Sequence, residues 1–196
     1  RDDQNECGSV DKYCPAGSET PLVVPDGYYS GPEDASETTR SEKTICPAGY
    51  YCTGGQKFEC PAGSLGEVEG QWNPTCDGQC PRGYYCTGGE KHECGSVDKY
   101  CPAGSGAPTN VTTGHYSGPS DVNENVRYEE TICPVGYYCV GGEKFECASG
   151  YFGNSTGLTT SQCSGMCKDG YYCESGSTRD DQNECGSVDK YCPAGS

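Results

Sequence analysis

The sequence predicts small disulfide-rich modules in tandem, made of short β-strands and turns with little or no helix, in an elongated repeat array. Three observations carry this. A thirteen-residue string, Glu-Cys-Gly-Ser-Val-Asp-Lys-Tyr-Cys-Pro-Ala-Gly-Ser, stands unchanged at 6–18, 93–105 and 184–196, and recurrence of this kind marks a repeat architecture. Leu, Ile, Val and Phe number 19 among 196 residues, against 30 Gly and 13 Pro, too few apolar side chains to condense an ordinary core. Eighteen cysteines compensate, because each closed loop stabilises by roughly 2–4 kcal/mol, chiefly by restricting the unfolded chain.

Cysteine spacing sets the modules. From Cys7 the steps are 7, 32, 6, 8, 16, 4, 6 and 8, reaching Cys94; from Cys94 they are 7, 32, 6, 8, 16, 4, 6 and 12, reaching Cys185. The first cysteine-rich unit is 1–92 and the second 93–183, with 184–196 starting the next repeat. The full period is 178 residues, and the ends are expected to be cuts through a longer array.

Within each unit a Cys-x3-Tyr-Tyr-Cys frame recurs at Cys46–Cys52, Cys80–Cys86, Cys133–Cys139 and Cys167–Cys173, with Gly before the tyrosines. Gly suits a turn with positive φ, and Pro after the first Cys of three frames fixes the approach to it. Eleven of the sixteen tyrosines lie within two residues before a cysteine. In a chain this poor in Leu and Ile, they are read as the main apolar filler, one of each pair covering the disulfide. The 31 residues from Pro15 to Ile45 match those from Pro102 to Ile132 at 17 positions. That agreement predicts an ordered excursion with strands near Val23-Val24 and Thr44-Ile45.

The frames, followed by Cys60-Pro-Ala-Gly-Ser-Leu-Gly66 and Cys76-x3-Cys80, resemble the ephrin-receptor-like cysteine-rich modules of the growth-factor-receptor superfamily. Gly157-Leu-Thr-Thr-Ser-Gln-Cys163-x3-Cys167 is similar as well. The resemblance covers most of both units apart from the 31-residue excursions. It implies extracellular, multi-copy proteins of protists and algae with adhesive or structural roles, flagellar hairs among them.

All eighteen cysteines are expected in disulfides: Cys7, Cys14, Cys46, Cys52, Cys60, Cys76, Cys80, Cys86, Cys94, Cys101, Cys133, Cys139, Cys147, Cys163, Cys167, Cys173, Cys185 and Cys192. Eight cysteines per unit allow 105 pairings. A local scheme pairs Cys46–Cys52, Cys60–Cys76, Cys80–Cys86 and Cys94–Cys101. An interlaced scheme pairs Cys46–Cys60, Cys52–Cys76, Cys80–Cys94 and Cys86–Cys101, and makes Cys7 and Cys14 the staples to a preceding block. Interlacing is favoured because it ties neighbouring segments into one rigid unit. A reduced zinc protein is the competing reading, with Cys76/Cys80 and Cys163/Cys167 as closest pairs, but two histidines among so many cysteines argue against it.

Two N-glycosylation sequons, Asn110-Val-Thr112 and Asn154-Ser-Thr156, fall in the second unit, whereas Asn73-Pro-Thr75 in the first is blocked by Pro. Asn110 aligns with Val23, and Asn154 with Glu67 near Trp72. Leu22, Val23, Val24 and Trp72 are therefore read as an assembly contact of the first unit, opposed to a sugar-coated second unit. The alternative is that Val23-Val24 packs within its own module.

The remaining chemistry is thin. No nucleophile elbow, phosphate loop or paired-His zinc helix occurs, so no enzyme activity, metal or other cofactor is expected. Asp3-Gln-Asn5-Glu6-Cys7 is similar to the start of calcium-binding epidermal-growth-factor modules, but the middle copy reads Lys91-His92-Glu93-Cys94 and lacks the Asp and Asn, which disfavours calcium. A net charge of −16 disfavours nucleic acid and anionic lipid, and no run is apolar enough to span a membrane. Disulfides place the chain outside the cell or on its surface. The expected function is a structural repeat subunit of an extracellular filament or fibre, self-associating along or between repeats and carrying N-linked glycans. The alternative is the ligand-binding ectodomain of a receptor or adhesin.

Overall fold

The computed structural model describes residues 6–187 and 190–196. Among these, the structure is a succession of two-stranded antiparallel hairpins, with two three-residue 3₁₀ turns, Glu37–Thr39 and Glu124–Val126, as the helical content. The small disulfide-rich units of short strands and turns read from the sequence are what the structure shows.

The best-formed hairpins follow the Tyr-Tyr-Cys frames. Strand Tyr50–Thr53 pairs with Gln56–Glu59, and Tyr137–Val140 pairs with Glu143–Glu146. Gly54 and Gly55 make the first connection with φ of +56° and +74°, and Gly141 and Gly142 make the second with +60° and +81°. Two successive left-handed residues are what a type I′ turn demands, and its twist matches that of the strands. Tyr84–Thr87 and Glu90–Glu93 repeat the design around Gly88-Gly89.

The 31-residue excursions supply longer hairpins. Tyr28–Gly31 pairs with Glu42–Ile45, and His115–Gly118 pairs with Glu129–Ile132. Leu22–Val23 pairs with Lys12–Tyr13, so the strand expected at Val23-Val24 sits one residue earlier.

Packing divides the described chain into two compact units, residues 1–92 with 103–107 and residues 93–102 with 108–196. Within each, the interior is sulfur. Fourteen cysteines and Val24 are the buried apolar residues among those described. The tyrosines of the frames are half-buried, apart from the exposed Tyr172, so they flank the core and do not fill it as composition suggests.

Successive hairpins are joined by backbone hydrogen bonds that recur in both units, 87 residues apart except at Ser196, which lies 91 residues after Ser105. In the first unit Ser30 N donates to Gly55 O, Gly63 N to Cys86 O and Cys86 N to Ser105 O; in the second Ser117 N donates to Gly142 O, Gly150 N to Cys173 O and Cys173 N to Ser196 O. The approach is close enough to require glycine. A Cβ on Gly55 would lie 2.0 Å from Val10 O, and one on Gly142 would lie 2.1 Å from Val97 O.

Candidate functional site

Nine disulfides join all eighteen cysteines, every one to the next cysteine in sequence. This corrects the interlaced scheme. Tyr50 N donates to Pro47 O across Ala48 and Gly49, with Gly49 at φ +86°, the geometry of a type II turn. The turn folds Cys46 back onto Cys52, leaving their Cα atoms 5.6 Å apart. Cys60 instead donates its N–H to Gly49 O and closes the longer loop to Cys76. Cys7 and Cys14 also close on one another, so they do not staple one block to the one before. Neighbouring segments are fastened by main-chain hydrogen bonds instead, such as Cys52 N to Gln71 O.

Outside this framework each unit carries a lysine clamped by tyrosines. Lys57 Nζ lies 4.9 Å from the Tyr29 ring centroid and 5.1 Å from that of Tyr50. Lys144 stands at the same distances from Tyr116 and Tyr137. Such cation–π contacts contribute about 0.5–1 kcal/mol at exposed sites. Lys57 also meets Glu33 at 2.8 Å. That hydrogen bond holds the ammonium above its ordinary pKa, outweighing the opposing effect of burial. Ser120 stands where Glu33 does, and Lys144 makes no ion pair among the described residues.

A second difference lies beside the first sequon. Glu130 replaces Lys43, and His115 replaces Tyr28. Burial pushes the Glu130 carboxyl up, but the Thr112 N–H and hydroxyl outweigh it and hold the pKa below its ordinary value, with help from His115 and Tyr100. In the first unit, Lys43 lies over the Tyr28 ring at 5.0 Å.

The proposed assembly contact is placed as follows. Leu22, Val23 and Trp72 are exposed at 43%, 68% and 58%, whereas Val24 is buried at 4% and drops out. Val24 follows strand Leu22–Val23, with its side chain buried and its N–H donating to Asp11 O. Sequence reasoning missed Val68, exposed at 58%. Leu22, Val23, Val68 and Trp72 align with Thr109, Asn110, Ser155 and Thr159 in the second unit, so these four positions are polar there. Asn110 and Asn154 are both exposed.

Asp3 and Asn5 lie outside the described residues. Among the described residues no group of three or more His, Cys, Asp or Glu side chains could hold a metal ion, and no helix is long and apolar enough to cross a membrane. The sequence also gave no sign of an open groove of about 540 Å³ in the first unit, reaching from Ala48 to Lys91. It lies where turns from successive hairpins meet, a long-range arrangement with no local signature. Comparison with protein families finds no matching family model, and comparison with curated proteins finds no match.

Proposed function

We propose that the chain is a structural repeat subunit of an extracellular filament or fibre, stapled by disulfides and N-glycosylated at Asn110 and Asn154. The observation that supports this reading is the recurrence, in both units, of the same hydrogen bonds between successive hairpins. Where each module is bonded to the next in one repeated way, stability grows by nearest-neighbour terms and the array extends without a new kind of contact. The local disulfides suit that role, since each closes a short loop of its own segment and an oxidising compartment keeps it so. The likeness to ephrin-receptor-like modules agrees with a multi-copy extracellular protein.

Exposed Leu22, Val23, Val68 and Trp72 favour a second reading, the ectodomain of a receptor or adhesin that binds a ligand through its first unit. Electron microscopy of the oxidised, glycosylated protein separates the two. Regular fibres with an axial repeat are expected. Discrete particles at every concentration would favour the ectodomain.

A further inference from the structure

The groove of the first unit has a floor made of backbone. Gly49, Gly66 and Gly89 come from three successive hairpins and meet almost Cα to Cα: a Cβ on Gly89 would lie 2.7 Å from the Gly49 Cα and 3.2 Å from the Gly66 Cα. Their packing leaves an open trough of about 540 Å³ walled by Tyr50, Glu67, Glu90 and Lys91. Lys91 Nζ lies 3.6 Å from Glu67 and 5.3 Å from the Tyr84 ring centroid, which holds the ammonium in place.

The lining selects its ligand by exclusion and then by fit. No Leu, Ile, Val or Phe lines the trough, so a lipid or purely apolar molecule would gain little by entering. Two carboxylates stand against one ammonium, which repels phosphates and nucleic acid. Because Glu67 is already paired with Lys91, the residual charge is also small for recognition of a polybasic segment. A ligand suited to these walls is neutral and flat on one face, and it carries many hydroxyls. Carboxylates accept hydroxyl hydrogens, the ammonium donates to hydroxyl oxygens, and a tyrosine ring covers a C–H face while keeping its own hydroxyl wet.

We propose that this groove binds a neutral, hydroxyl-rich oligosaccharide. The second unit does not keep the site. Ser177 takes over the bond of Gly89, accepting from Gly153 N as Gly89 accepts from Gly66 N, and its side chain is buried. The rim residue Glu67 is replaced there by Asn154, which begins a sequon. One unit thus offers a bare trough, and the other offers an attachment point for sugar at the corresponding rim. The sugar could be an N-linked glycan on a second copy of this chain or a free extracellular polysaccharide, since both present the same chemistry. The site does not depend on the chain forming fibres.

The test is a titration of the full glycosylated chain with mannotetraose, cellotetraose, chitotetraose and maltotetraose, read from the amide shifts of Gly49, Gly66 and Gly89. At least one sugar is expected to shift these amides saturably. Glu67→Ala, at an exposed side chain, is expected to weaken that binding at least tenfold, the rough loss for one charge-assisted hydrogen bond, while amides elsewhere stay in place. No saturable shift with any sugar would overturn the proposal. So would an affinity untouched by Glu67→Ala, or tighter binding of a tetralysine peptide at the same amides. Asn110→Gln with Asn154→Gln then separates the sources. Loss of chain–chain association with sugar binding intact supports the glycan of a second copy; binding and association both intact support an external polysaccharide.

Discussion

The two units share a skeleton and differ in surface. The disulfides, the Gly54-Gly55 turn (Gly141-Gly142 in the second unit) and the bonds between hairpins have counterparts in both units, and each engages backbone or sulfur. Most of the residues that change face outward or across a hairpin, among them Glu33 to Ser120, Lys43 to Glu130, Tyr28 to His115, and four exposed apolar residues to polar ones. A framework held by sulfur and main chain places little demand on its side chains. Two surfaces with different chemistry can therefore sit on one scaffold at little cost to folding.

The shared skeleton is the part most easily broken. Gly55→Ala is expected to destabilise the first unit by about 3 kcal/mol or more, combining left-handed backbone with a Cβ driven into Val10 O. Gly142→Ala should do the same in the second unit against Val97 O. Gly54→Ala meets nothing within 4 Å, so only the conformational cost of about 1–2 kcal/mol should remain. Thermal unfolding with disulfides intact checks all three. If Gly55→Ala and Gly142→Ala differed widely, the units would not share one framework.

Pairing is checked by a tryptic digest without reduction. Residues 44–57 form one tryptic peptide containing Cys46 and Cys52, so local pairing releases it as a single species closed on itself. Interlacing would recover it bonded to the peptide carrying Cys60 and Cys76.

How far this could be read beforehand differs between skeleton and surface. The hairpin fold was legible because cysteine spacing, Gly placement and missing apolar residues all point one way. The pairing was not read correctly, although Cys46-Pro-Ala-Gly-Tyr contains the turn that decides it. Weighing whole-unit rigidity over local turn chemistry led to interlacing, whereas the hydrogen bonds already supply that rigidity. Val24 reads as one run with Leu22 and Val23, but it falls just past their strand and is buried while they stay exposed. The groove depends on Gly49, Gly66 and Gly89 meeting across 41 residues, and nothing local to any of them announces it.

Acid should distinguish the units in a signed way. The pKa of Glu130 is lower in the folded state than its ordinary value, so the unfolded chain binds more protons around and below pH 4.5. The stability it contributes is complete above that range and is lost as pH falls through the folded pKa. Glu130→Gln should therefore lower Tm at pH 7 and change it less at pH 3. Lys57 behaves in the opposite sense: its raised pKa contributes stability below about pH 10.5 that disappears as pH rises through the folded value. Glu33→Gln should cost only about 0.5 kcal/mol at neutral pH, because the Glu33 carboxylate is exposed to solvent, and the cost should fade in strong alkali.

The smallest effect on stability is expected where the surfaces differ most. Replacing Leu22, Val23, Val68 and Trp72 with the second unit's Thr, Asn, Ser and Thr should leave Tm within the range of ordinary surface substitutions, about 0.5 kcal/mol each or less. Pro25 stays in place, so Val23→Asn creates no sequon. These side chains are at least 43% exposed, and the second unit already folds on the same framework with the polar set. If stability holds while self-association falls, the apolar set serves contact between molecules and not the fold. If stability falls by several kcal/mol, the four residues pack within their own module, and the contrast between the units is one of folding after all.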